Sequence, residues 1–231
     1  MSLLAFDSTA NVCSAAIWSN GRVLAHQTHL MDRGHAEKLV PVIWSVMQEA
    51  EIAFKVLESI VVTVGPGSFT GIRIGLSTAK CLALVGKIPL FGVTNFDLHK
   101  SVLPPEDWLK GPVMVVLETK RDDFYVQIYG PDKNALGSAE AVPSDALAQH
   151  AIDLAGTEAP ITLVGDGAMR AGCLMKNISG LRLLWMERPY PDALNLATLA
   201  ASMVEAGSPT AFPEPLYLRP PDVRRPVQGK A

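Results

Sequence analysis

The chain has 231 residues, of which 48% are hydrophobic and 19% charged, with 20 Lys and Arg against 23 Asp and Glu for a formal charge of −3. That length suits one large domain or two compact ones, with ample material for a core. The charge balance excludes a protein that binds a polyanion through its overall charge, since phosphate neutralisation needs clustered cations. Cys13, Cys81 and Cys173 are far apart and in no paired spacing. They predict neither a disulfide framework nor a zinc site, and suit a reducing cytoplasm; both Cys13 and Cys81 read as small core residues. The start, MSLLAFDSTA, lacks a basic leader. The most apolar stretch, 72–93, is broken by Arg73, Lys80, Lys87 and Pro89, so no membrane span is expected.

LLAFD (3–7) is a short strand run, and VCSAAIWSNGRVLAHQTHL (12–30) alternates around Asn20-Gly21, a pair that tolerates the positive φ angles of a tight hairpin. Leu39, Val42, Ile43, Val46 and Met47 fall at helical spacing over 35–50, with Pro41 predicting a kink or an offset start. IVVTV (60–64) is a buried-strand run, a helix is expected over 70–85, and IPLFGV (88–93) is a further strand. The second half repeats this order: strands over 113–118 and 123–130, a third from ALGSAEAV (135–142), a helix capped by Ser144-Asp145 and reaching Leu154, ITLVGDG, a helix over 167–177, a strand over 181–185, and a helix over 192–206. VTVGPG (62–67) and TLVGDG (162–167) lie 100 positions apart, each running from a strand into Gly-x-Gly.

A duplicated unit with an acid at the end of each first strand, Asp7 and Glu118, predicts an α/β protein of two similar lobes around a cleft. The lobes are expected over 1–103 and 104–221, divided within SVLPPEDWLKGP (101–112), with 222–231 a disordered tail.

The stretch GPGSFTGIRIGLSTAK (65–80) brings four glycines to one turn and helix. Gly65-Pro66-Gly67 allows a sharp turn, and Ser68 or Thr70 can cap the helix at its start. Gly71, Gly75, Ala79 and Ala83 recur every four residues, a stripe that permits close approach of another backbone, from this chain or a partner. Helix 35–50 is apolar around more of its circumference than one sheet requires.

Together with FDST (6–9), HAEKLVPVI (35–43), ETKRDDFYVQIY (118–129), GDG (165–167) and PLYLRPPDV (215–223), this stretch resembles the TsaB (YeaZ) family of bacterial tRNA threonylcarbamoyladenosine (t6A) biosynthesis. The resemblance runs over nearly the whole chain. It implies two actin/Hsp70-like (ribonuclease H-like, βββαβαβα) lobes. It further implies a non-catalytic cytoplasmic subunit that pairs with a TsaD-type catalytic paralogue, recruits a TsaE-type ATPase, forms a homodimer, and meets tRNA only through the complex. By the same resemblance the contact surface is formed by the two helices over His35, Leu39, Val42, Ile43 and Val46 and over Gly71, Ile72, Gly75, Leu76, Ala79 and Ala83. On that reading Ile72→Glu or Leu76→Glu abolishes association and leaves the lobe folded.

Asp7, Ser8, Thr9, Glu118, Gly165 and Gly167 are the candidate nucleotide-binding residues, since acids in such a cleft can position Mg²⁺ beside phosphates. Two departures weaken the inherited site. Relatives usually read Asp-Ala-Arg where this chain has Glu118-Thr119-Lys120, and Asn95 stands where TsaD-like relatives have the first histidine of a His-x-x-x-His pair ending at His99. The cleft therefore reads as vestigial, His99 as an ordinary helix residue, and the chain as needing no cofactor, with ATP or ADP and Mg²⁺ bound weakly and only within the complex. The rival reading is an autonomous ATPase or phosphotransferase using Asp7 and Glu118; a metallopeptidase is the weakest.

Overall fold

The computed structural model describes residues 1–179, 181–185, 190–206 and 212–219, so the expected tail 222–231 lies outside the described residues. The first sheet comprises β1 (Ser2–Ala10), β2 (Val12–Ser19), β3 (Arg22–Leu30), β4 (Ser59–Gly65) and β5 (Leu90–Thr94), in the order β3-β2-β1-β4-β5. The second comprises β6 (Val113–Glu118), β7 (Asp123–Tyr129), β8 (Glu140–Pro143), β9 (Ile161–Val164) and β10 (Leu183–Trp185), in the order β10-β9-β6-β7-β8. The two orders are the same pattern: an antiparallel meander whose first strand pairs in parallel with the fourth, and the fourth with the fifth. The duplication read from the Gly-x-Gly spacing is thus present as topology.

The helices are α1 (His35–Glu49), α2 (Phe69–Gly86), α3 (Asn95–Ser101), α4 (Pro105–Trp108), α5 (Leu147–Ala155), α6 (Ala168–Met175) and α7 (Ala193–Ala206). Side chains alternate across a strand, so one sheet can be greased on both faces. Leu4, Phe6, Ile60 and Val62 point to α1 and α2, while Leu3, Ala5 and Val61 point to α7, whose Ala193, Leu196, Ala197 and Ala200 are buried against them. In the second lobe Met114, Val116, Phe124 and Val126 meet α5 and α6. The opposite face, with Val113, Val115 and Leu117, meets Phe96, Leu103 and Trp108 from the connection between the lobes.

Several boundaries shift. Helix α7 covers the first sheet, and residues 212–219 return there too, with the Leu216 amide donating to the Val64 carbonyl at 2.8 Å. The stretch 104–221, expected as one C-terminal lobe, therefore also supplies elements to the first sheet. Hydropathy marks α7 as buried on one face without saying which sheet it buries. Helix α1 runs continuously through Pro41. Strand β8 is shorter than the expected 135–142, and α5 begins after Ala146 with no side-chain cap, because the Ser144 hydroxyl donates instead to Asp122 at 2.6 Å. Cys81 is exposed rather than in the core. Helix α2 is long and apolar enough to cross a bilayer by length and composition, but Ile72, Leu76, Ala79 and Ala83 are buried against the chain's own first sheet.

Candidate functional site

The small-residue stripe of α2 serves this chain's own packing. Ser68 caps the helix, its Oγ accepting from the Gly71 amide at 3.2 Å. A Cβ at Gly71 would lie 2.0 Å from the Ser8 carbonyl oxygen, and one at Gly75 would lie 2.8 Å from Ser8 Oγ. The absence of side chains lets α2 lie directly on β1. The Ser68 amide donates to the Thr9 carbonyl at 2.7 Å, so the loop 65–68 is stitched to the same strand end.

The partner-facing residues that the resemblance implies lie on the sheet-facing sides of their helices. Leu39, Val42, Ile43, Val46, Gly71, Ile72, Gly75, Leu76, Ala79 and Ala83 are all buried within the first lobe, and half-buried His35 shares a 3.0 Å hydrogen bond with the Ala10 carbonyl. Their periodicity marks the sheet-facing side. The solvent side of α1 carries Val40 and Trp44, 57% and 63% exposed, one turn apart with Pro41 between them. The end of α2 exposes Leu84 and Val85.

A cleft of about 1280 Å³ opens between the lobes, lined by Thr9 to Val12, Pro66 to Phe69, Arg73, Leu117 to Arg121, Asp166, Tyr190 and Tyr217, among others. Of the expected nucleotide-binding residues, Thr9 and Glu118 line it, while Asp7 and Ser8 are buried beneath its floor. Asp7 Oδ1 accepts from the Thr9 amide at 2.9 Å, from the Thr9 hydroxyl at 2.7 Å, and from the Thr63 hydroxyl. Its Oδ2 is buried without a partner. Asn95 holds this arrangement from α3, its Nδ2 donating at 2.8 Å to both the Thr9 hydroxyl and the Pro66 carbonyl. Gly165 and Gly167 pack on β6 instead of lining the open cleft; a Cβ at Gly165 would meet the Val116 carbonyl oxygen at 2.2 Å.

Glu118 is tied up by a residue that sequence reasoning missed. Arg170, on α6, donates Nε and a terminal nitrogen to the two Glu118 oxygens at 2.9 and 2.8 Å, and its guanidinium stacks on Phe124 at 3.7 Å. Such a planar two-pronged pair is the strong form of an ion pair. The pair joins residues 52 positions apart in the chain. Asp166 Oδ1 accepts from the Glu118 amide at 2.9 Å. The acid within GDG therefore joins Glu118 at the second lobe's rim of the cleft.

Burial raises the pKa of Asp7, partly offset by the Thr63 and Thr9 hydrogen bonds, and burial likewise raises that of Asp166. His99 is buried, its Nε2 has no partner, and burial lowers its pKa to about 3, so the ring is neutral. Among the described residues no three His, Cys, Asp or Glu side chains are grouped to hold a metal.

The Asp7 shift makes a stability prediction. The folded pKa lies above the unfolded one, so the native state binds the proton more readily. Between the two values stability falls as pH rises, so burial of this carboxyl costs least below the ordinary carboxylate range and more above it. Asp7→Asn keeps an oxygen for the three donors and replaces a buried charge by a neutral amide. It is expected to melt above the wild type at pH 7, with the gap closing as pH falls toward the ordinary carboxylate value of about 4; thermal melts across that range check it.

The family model described as "TsaD: tRNA N6-adenosine threonylcarbamoyltransferase" matches residues 22–162. The Escherichia coli K12 tRNA threonylcarbamoyladenosine biosynthesis protein TsaB is 29% identical over 227 residues, covering 95% of each chain. YeaZ from Pseudomonas aeruginosa superimposes with a TM-score of 0.76 at 23% identity, covering 94% of this chain and 99% of that one. At a TM-score of 0.50 and 12% identity, the fold also resembles the activator of 2-hydroxyisocaproyl-CoA dehydratase from Clostridium difficile, whose structure holds ADPNP; 89% of this chain and 96% of that one are covered. Matched across more than half its length by the family model, the chain belongs to the family described as TsaD, tRNA N6-adenosine threonylcarbamoyltransferase, and along nearly all of its length it is similar to TsaB.

Proposed function

We propose that this chain acts in t6A biosynthesis on tRNA as a non-catalytic subunit. It binds a TsaD-type catalytic paralogue through the outer face of α1, recruits a TsaE-type ATPase once assembled, and uses the same face for a homodimer when the paralogue is absent. The name of the E. coli relative supports the pathway. The observation that carries the binding role is the exposed apolar stripe Val40, Pro41 and Trp44 on a helix whose other side is already packed. A helix apolar on both sides has a second surface to cover. The state of the two cleft acids supports the subunit reading: Glu118 is neutralised by Arg170, and Asp7 lies beneath the floor with one oxygen already taken by three donors. The chain requires no cofactor of its own in this reading. ATP or ADP with Mg²⁺ is held weakly and only in the assembled complex, tRNA is met through that complex, and the setting is cytoplasmic.

Light-scattering size-exclusion chromatography of the chain, alone and mixed with its TsaD-type paralogue, tests this. A dimer that exchanges into a one-to-one complex supports it, and a monomer indifferent to the paralogue overturns it. Trp44→Glu is expected to keep the wild-type melting temperature and weaken association by at least about 30-fold, as loss of a central tryptophan anchor does.

A further inference from the structure

We propose that Tyr190 is a built-in plug that locks the lobes together by filling the space between Asp7 of the first and Asp166 of the second. Position 190 lies where the chain leaves β10 of the second sheet for α7 on the first, so its side chain stands at the crossover between lobes. The side chain engages the Thr9 hydroxyl at the end of β1 and is close enough to both acids to feel their charge. Its ring meets His99 edge-on, with centroids 4.8 Å apart and planes at 90°. Among the described residues, Tyr190 and Asp166 alone line both the cleft and a smaller neighbouring cavity of about 50 Å³, whose other walls include His99, Leu103 and Val164. The phenol and the Asp166 carboxyl thus stand between them.

This placement has a chemical consequence. A neutral phenol between two acids relieves their proximity without adding charge, whereas a metal-bound polyphosphate would bring its cation to that same space. With Tyr190 in place, an anion entering the cleft is confined to the outer half, where Arg73 stacks on Phe69 at 3.8 Å and its Nε donates to the Tyr217 hydroxyl at 3.2 Å. The lobes hold their relation without a ligand to bridge them.

Hydrogen exchange on the whole chain tests the lock at one amide from each lobe, Thr9 donating to Asp7 and Glu118 donating to Asp166. Tyr190→Phe keeps the ring and removes the hydroxyl. Exchange at both amides is expected to rise up to about tenfold, the upper range for one hydrogen bond. Tyr190→Ala is expected to exchange faster still, and millimolar Mg·ADP is expected to raise its melting temperature by about 2 °C or more while leaving the wild type unmoved. Wild-type exchange at both amides in Tyr190→Phe overturns the lock, and this variant suffices if Tyr190→Ala does not fold. An equal response of wild type and Tyr190→Ala to Mg·ADP, including none in either, overturns the exclusion. The chain is assayed alone, so these outcomes are separate from whether it binds the paralogue.

Discussion

Replacing Gly71 by alanine is expected to destabilise the chain by about 3–5 kcal/mol, lowering its melting temperature by roughly 6–20 °C. Intrinsic helix preference alone would make the same change favourable by about 1 kcal/mol. The sign of the measured effect therefore separates the two causes. Gly71 lies in the first turn of α2, and a Cβ there would stand 2.0 Å from the Ser8 carbonyl oxygen and 3.0 Å from its carbon. Both are backbone atoms of a central strand, so neither can rotate away. The helix would have to withdraw by more than an ångström, breaking the 2.9 Å bond from the Ser8 hydroxyl to the Gly71 carbonyl and lifting Ile72 and Leu76 from the core. Gly75→Ala should cost less, because its nearest neighbour is the tip of Ser8, a side chain that can turn. Ser77→Ala, on the exposed side of the same helix, should stay within about 0.5 kcal/mol. Urea denaturation of the three variants measures the series, and a neutral Gly71→Ala would mean that α2 does not rest on β1 at that point.

The same stripe shows what a sequence carries and what it withholds. Strand alternation and turn chemistry are local, so the Asn20-Gly21 hairpin, with φ of 52° and 84°, and the repeated Gly-x-Gly ends with Gly65 and Gly165 at φ of 103° and 107° are legible residue by residue. Which side of an apolar helix meets the sheet is not local. In α1, Leu39 and Val40 are adjacent and both apolar, yet one is buried and the other 57% exposed. Periodicity groups residues into faces, and only the packed sheet says which face is inside. The cleft is illegible for a related reason: Arg170 reaches Glu118 across 52 residues, and Tyr190 engages Thr9 from the far end of the chain. No spacing rule joins such pairs. Asp166 is visible within its GDG motif, but its bond to the Glu118 amide depends on the parallel pairing of β6 with β9.

Ile72→Glu is expected to unfold the chain, with a loss above about 4 kcal/mol. Ile72 is 1% exposed and belongs to the cluster formed by α1, α2 and the first sheet. Its Cδ1 would be the nearest atom, at 2.7 Å, to a Cβ added at Gly65, so even the turn before α2 is built against it. The substitution removes about 2–3 kcal/mol of apolar burial and places a carboxylate within an apolar cluster. The family resemblance alone points to the opposite outcome, a folded lobe that no longer associates. Circular dichroism melts of Ile72→Glu beside Trp44→Glu separate the two. If α1 and α2 are oriented as described, Ile72→Glu loses its cooperative transition while Trp44→Glu keeps it and loses only the partner. A normal melt for Ile72→Glu would turn the helix pair over, placing Ile72 outside and removing the reason to assign Val40 and Trp44 to the contact face.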